Sequence, residues 1–161
     1  MHTSTTSTVP LEPWTPQQLQ QATQGYWHKD QIPQTEIKRI FTDSRHAESG
    51  DAFLALKGER FDAHNFVAQV AANGCQVAIV EQPIDANIAQ LVVADTRLAL
   101  GQLGAYRREQ NAQLKVIALT GSSGKTTSKE MLGSILSRLA PTLITRGNLN
   151  NDLGVPLMLL E

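Results

Sequence analysis

The stretch Gly121-Ser-Ser-Gly-Lys-Thr-Thr127 limits the possible folds of this chain more than any other. A β-branched, apolar run, Lys115–Thr120, precedes it, and a helix-forming run to Leu139 comes after it, with Met131, Leu132, Ile135, Leu136 and Leu139 on one face. Pro141 ends that helix, and Thr142–Thr145 reads as a second strand. Strand, glycine loop, helix and strand make a βαβ unit, which predicts a parallel sheet. The two glycines let the backbone turn its N–H groups inward, and a helix N-terminus adds the positive end of its dipole. A lysine in the first turn of a helix is unfavourable there unless an anion sits nearby. The pattern therefore predicts phosphate binding. Lys125 supplies a mobile cation for the β- and γ-phosphates and Thr126 a hydroxyl for Mg²⁺. Gly121, Ser122, Ser123, Gly124 and Thr127 complete the cradle. The longer form of the motif starts with a glycine where this chain has Leu119.

Upstream, the elements alternate in the same manner. Thr15-Pro16-Gln17-Gln18 is a helix start with a capping box, and Gly25 is a stop. Thr35–Thr42, Ala52–Leu56, Cys75–Val80 and Leu91–Ala94 read as strands. Asn65–Ala72 and a run from Thr96 to near Glu109 read as helices. The fold class is α/β. A small N-terminal α/β domain over 14–113 comes after a flexible Ser/Thr-rich tail, 1–13, and polar Arg107–Gln113 serves as the linker. The start of a Rossmann-like P-loop domain occupies 114–161. Only 34 residues lie beyond Thr127. None of Glu130, Asp152 and Glu161 stands at the end of an apolar strand, where a Mg²⁺ ligand would be expected. The chain thus reads as cut off inside its second domain.

Charge and cysteine content narrow the classes further. Fourteen Lys and Arg against 15 Asp and Glu give a net charge of −1, which leaves no cationic field for nucleic acid. One cysteine excludes an internal disulfide and a cysteine-rich zinc site. The histidines lack metal-ligand spacing, and Cys75 reads as a core residue. No apolar run approaches the ~20 residues needed to cross a bilayer, and no secretory signal opens the chain, so a cytoplasmic protein without membrane insertion is expected.

Three other stretches sit where ligands bind. Thr42-Asp-Ser-Arg45 comes directly after a strand; Asp43 is an acceptor for loop N–H groups, and Ser44 and Arg45 are either surface residues or a diphosphate fork. Gly58 to His64 is either a solvated connection, with Asp62 capping the next helix, or a loop that wraps a ligand with Gly58, Arg60 and His64. Asn148, Asn150 and Asn151 surround a turn beyond Thr145, beside the P-loop strand, where α/β ligand sites lie, and Asp152 can cap the segment after that turn.

Taken together, Leu119-Thr-Gly-Ser-Ser-Gly-Lys-Thr-Thr127, Thr145-Arg-Gly-Asn-Leu-Asn-Asn-Asp-Leu-Gly-Val-Pro156, Thr42-Asp-Ser-Arg45 and Phe53-Leu-Ala-Leu-Lys-Gly-Glu-Arg-Phe-Asp-Ala-His64 resemble the Mur ligases of peptidoglycan synthesis. The resemblance spans about residues 14 to 161. It implies a three-domain, ATP- and Mg²⁺-dependent ligase, of which this chain would hold the UDP-substrate domain and the start of the ATPase. It further implies transfer of D-alanyl-D-alanine onto UDP-N-acetylmuramoyl-tripeptide through an acyl phosphate, by a full-length enzyme that is a monomer. Lys125 and Thr126 would be its catalytic residues here, Thr126 the Mg²⁺ ligand, and Ser44, Arg45, Gly58, Arg60, His64, Asn148, Asn150 and Asn151 the substrate contacts. The chain alone would be inactive. The competing reading is a stand-alone UDP-sugar-binding module without catalysis. A small P-loop kinase or GTPase fits less well, because the loop comes after a whole separate domain.

Overall fold

The structure is a computed structural model that describes residues 12–58, 61–147 and 149–160. Its centre is a five-stranded sheet in the order β1-β5-β4-β3-β2, built from β1 (Tyr26–Trp27), β2 (Ile40–Phe41), β3 (Ala52–Leu54), β4 (Val77–Val80) and β5 (Ala89–Val92). Strands β2 to β5 are parallel, and β1 adds antiparallel to β5 at one edge. Because parallel strands are covered on both faces, they carry apolar residues in both registers. Ile40, Ala52, Leu54, Val77, Ile79 and Leu91 point to one layer, and Phe41, Phe53, Ala78, Val80 and Val92 to the other.

Helices α1 (Pro16–Thr23), α3 (Thr96–Gln110) and α5 (Gly154–Leu159) cover the first layer, where Leu19, Ala99, Leu100, Leu103 and Leu160 join the core. A 3₁₀ turn, Ala63–Phe66, and helix α2 (Val67–Ala72) cover the second through Val67 and Val70. The expected capping box is present: Thr15 Oγ1 accepts the Gln18 N–H, and Gln18 Oε1 accepts the Thr15 N–H. Asp95 caps α3 by accepting the Leu98 N–H at 2.8 Å.

Several expectations need correction. Strand β1 is too short to show a period, and Gly25 makes it possible: a Cβ there would lie 2.7 Å from the Val92 carbonyl oxygen. The strand expected over Thr35–Thr42 is reduced to Ile40–Phe41, because Ile37 bridges instead to Trp14. The polar linker begins as helix. Arg107 lies 4.1 Å above the Trp14 ring, and with Arg108 it places positive charge in the last turn of α3, where the dipole favours it.

The larger correction concerns the βαβ unit. Residues 114–120 and 141–146 are not strands, and helix α4 (Lys125–Leu136) stops short of Leu139. A strand needs a ladder partner for its N–H and C=O groups, and among the described residues neither segment has one. Val116, Ile117, Leu119 and Leu143 are accordingly exposed, as are Met131 and Ile135 on the apolar face of α4 and Leu139 beyond its end. Residues 141–146 do approach α4 closely: a Cβ on Gly133 would collide with the Ile144 side chain. Lys129 also donates to the Thr145 carbonyl at 2.6 Å. Among the described residues no helix is long and apolar enough to cross a membrane.

Candidate functional site

Four loops leave the carboxyl ends of the parallel strands β2 to β5, the edge where open α/β sheets bind ligands. After β2, Asp43 caps a 3₁₀ turn, Ser44–His46, by accepting the Arg45 N–H at 3.1 Å. The Arg45 guanidinium bends back onto the same carboxylate, with Nε at 2.8 Å from Oδ1 and Nη2 at 2.5 Å from Oδ2. That fork holds the Asp43 carboxyl well below the usual carboxylate range and raises Arg45. Arg45 is 80% exposed, so it is a solvated cation that pairs with its neighbour two residues back.

After β3 the chain forms a tight turn. Lys57 bridges Asp62, and the Gly58 N–H donates to the Phe61 carbonyl at 2.8 Å. Arg60 lies outside the described residues. Phe61 is 59% exposed and stacks on Phe66 with ring centroids 5.7 Å apart. This exposed aromatic stack at the carboxyl edge is a feature that the sequence patterns did not single out. The signal was present as a bulky residue in a polar loop.

His64 is placed differently from the other expected contacts. It is 8% exposed, and both ring nitrogens are engaged within the protein. Nε2 accepts the Glu81 N–H at 2.9 Å, so Nδ1 carries the proton and donates to Asp62 Oδ1 at 2.6 Å. The backbone N–H of His64, and then its ring, hold the Asp62 carboxyl below its ordinary value. Glu81 in turn accepts from the Thr96 N–H and hydroxyl at 3.0 and 2.9 Å. The Lys57 N–H donates to the Thr96 hydroxyl at 3.4 Å. One network therefore joins the loops after β3 and β4 to the start of α3, and His64 is a strut of the edge.

Behind this edge, Arg39 pairs with buried Asp51 at 2.8 Å, and Asp51 also accepts the Glu48 N–H. Burial raises Asp51 despite that partner. Burial also pushes the Cys75 thiol up to about 11, in keeping with a core residue without chemistry.

The asparagine turn also meets this edge. Asn151 Oδ1 accepts the Gly154 N–H at 2.7 Å and so caps α5, the role expected of Asp152. Asp152 instead pairs with Arg97 at 2.5 Å, which lowers its carboxyl. Asn150 is exposed, and Asn148 lies outside the described residues.

In the glycine loop, Gly121 and Gly124 take φ of 152° and 76°, backbone states open to glycine. Gly124 is the N-cap of α4, and Lys125, Thr126 and Thr127 form its first turn. The Lys125 ammonium folds back onto the Gly121 carbonyl. Gly121, Ser122, Ser123 and Gly124 are exposed around that helix end. Positive-φ glycines, free N–H groups at a helix N-terminus and a lysine reaching over the loop suit a phosphate chain. Among the described residues no group of three or more His, Cys, Asp or Glu side chains could hold a metal ion. The loop offers hydroxyls in place of carboxylates, and Thr126, in the first turn of α4, is the one the sequence motif pairs with Mg²⁺.

These features agree with the relatives of the chain. A family model described as "Mur ligase family, catalytic domain" matches residues 36–117, just over half of the chain. The chain belongs to the Mur ligase family. A second model, the Mur ligase middle domain, matches residues 119–161. The UDP-N-acetylmuramoyl-tripeptide--D-alanyl-D-alanine ligase of Escherichia coli (strain K12) is 54% identical over 125 residues, which cover 78% of this chain and 27% of that protein. A crystal structure of MurF from Acinetobacter baumannii superposes with a TM-score of 0.92 at 95% identity, over 95% of this chain and 34% of that one. MurF ligase from Thermotoga maritima, solved in complex with ADP, gives a TM-score of 0.67 at 34% identity, over 76% of this chain and 28% of that one. The chain thus spans roughly a third or less of these relatives.

Proposed function

We propose that this Mur ligase segment serves an ATP-dependent enzyme that joins D-alanyl-D-alanine to UDP-N-acetylmuramoyl-tripeptide through an acyl phosphate. The observation that carries the reading is the order of the sites. A carboxyl-edge ligand surface precedes a glycine loop at a helix N-terminus, within a chain 54% identical to the E. coli tripeptide ligase. Residues 14–113 would hold the UDP end of the substrate and residues 114–161 would open the ATPase, with residues 1–13 as a tail. The two family models, meeting between 117 and 119, support a division near there.

In this reading Lys125 leaves the Gly121 carbonyl and neutralises charge on the transferring phosphoryl group. The N–H groups of Ser122 to Thr127 orient the phosphates, and ATP supplies the phosphoryl group that activates the substrate carboxylate. Thr126 would hold one position of a Mg²⁺ ion. The described residues offer no carboxylate cluster to complete that site, so no step is derived through it. Arg45, once released from Asp43, and Ser44 face the diphosphate, with Gly58, Phe61 and Arg60 along the nucleoside. His64 fixes the loop from behind. Asn148, Asn150 and Asn151 lie toward the sugar-peptide portion. The full-length enzyme acts as a cytoplasmic monomer.

The test is phosphate release by the full-length protein given ATP, the UDP-tripeptide and D-alanyl-D-alanine. Release that depends on all three is expected. UDP-tripeptide binding with no dipeptide-dependent release would leave a binding module instead.

A further inference from the structure

Two contacts with α3 tie the asparagine turn and α5 to the N-terminal sheet. At the first turn of α3, Arg97 Nη2 donates to Asp152 Oδ2 at 2.5 Å. Further along, Gly104 faces Pro156 of α5 so closely that a Cβ would lie 3.0 Å from Pro156 Cα and 3.1 Å from its Cβ. Between these points the turn is closely packed. Asn151 caps α5, and Gly154 sits so near Leu149 that a Cβ would come within 2.5 Å of the Leu149 Cα. Beyond α5, Leu160 enters the core of the N-terminal sheet. The start of α3 is itself tied through Thr96 to Glu81 and Lys57, behind the loop of Gly58 and Phe61.

We infer that α3 is the post that registers the asparagine turn against the carboxyl edge of the sheet, and that Arg97 is a positioning residue for the UDP-substrate, acting through Asp152. The inference rests on the proposed contact of Asn150 and Asn151 with the sugar-peptide portion of that substrate. The side chains of the pair are 47% and 64% exposed, so it adds little to stability. Its consequence is geometric, because substrate alignment is sensitive to shifts of about 1 Å.

The test uses the full-length ligase that carries this segment. Arg97→Ala and Asp152→Ala should each raise KM for the UDP-tripeptide by about three- to five-fold, the range open to an exposed pair. KM for ATP, kcat and the unfolding temperature should stay near wild type. The charge-exchanged double variant, Arg97→Asp with Asp152→Arg, should return KM for the UDP-tripeptide toward wild type. An unchanged KM in the single variants, equal rises for ATP and UDP-tripeptide, or no recovery in the exchange would overturn the inference. A wild-type enzyme that adds no D-alanyl-D-alanine would bring down the ligase reading itself.

Discussion

Gly101 and Gly104 lie one turn apart on α3, and the same substitution should act oppositely at the two. Replacing a helical glycine by alanine removes backbone freedom from the unfolded chain and is worth about 0.5–1 kcal/mol in a helix interior. At Gly101 nothing lies within 4 Å of an added Cβ, so Gly101→Ala should realise that gain. At Gly104 the new methyl meets Pro156 Cα at 3.0 Å, Cβ at 3.1 Å and O at 3.4 Å. Helix α5 must then withdraw by a few tenths of an ångström, loosening the seat of Leu157 and Leu160 on the N-terminal core. Overpacking of this kind costs about 1–3 kcal/mol, which exceeds the helical gain at its upper end and cancels it at its lower. The two variants should therefore differ by roughly 1–3 kcal/mol, with Gly101→Ala the more stable. Urea denaturation of both, with equal m-values, measures the difference. If Gly104→Ala gains as much as Gly101→Ala, α5 does not rest on Gly104, and the α3 post has lost one of its two attachments.

Lys125→Ala in the full-length ligase should abolish ATP-dependent phosphate release while leaving UDP-tripeptide binding, read by calorimetry, nearly intact; equal loss of both would merge the two sites. His64→Ala strands the Glu81 N–H and should cost about 1–3 kcal/mol by denaturation, the usual penalty for a buried unpaired group. Because Asp62 titrates lower in the folded chain than unfolded, its contribution is full above about pH 4 and fades as the pH falls through the folded value, so Asp62→Asn should flatten the acid limb of a stability profile. Cys75, buried and with its thiol raised to about 11, should resist a thiol-disulfide reagent at pH 8 until urea opens the domain; prompt labelling of folded protein would contradict its burial.

The parts of this fold legible in the sequence are those whose causes are local or doubly apolar. Thr15 and Gln18 announce α1 by themselves, and β3 and β4 declare two covered faces because both registers are apolar. The two-residue strand β1 has no period to read, and only the crowding of Gly25 against Val92 shows why it is there. Among site residues, the glycine loop was legible because its letters specify backbone states, and Gly121 and Gly124 adopt them. His64 was legible as special without its role being so: a histidine near a ligand loop reads alike whether it faces ligand or, as here, bonds Asp62 and Glu81 from behind. Arg97 gave no local signal, because its partner lies 55 residues away.

The segments 114–120 and 141–146 show the opposite limit. Their β-branched composition states a preference for strand, but a strand is a relation between two segments, and preference without a ladder leaves extended chain with exposed Val116, Ile117 and Leu143. Helix α4 forms in the same region because its hydrogen bonds close within itself. Helix α5 forms too and packs one face on the N-terminal core, although its residues match the middle-domain model rather than the one covering the sheet it packs on. The boundary between matched families and the boundary between packed layers therefore do not coincide. The asparagine turn lies between those boundaries. Its residues match the middle-domain model, while Arg97 holds Asp152, and Gly104 holds Pro156 of α5, to the N-terminal sheet by contact.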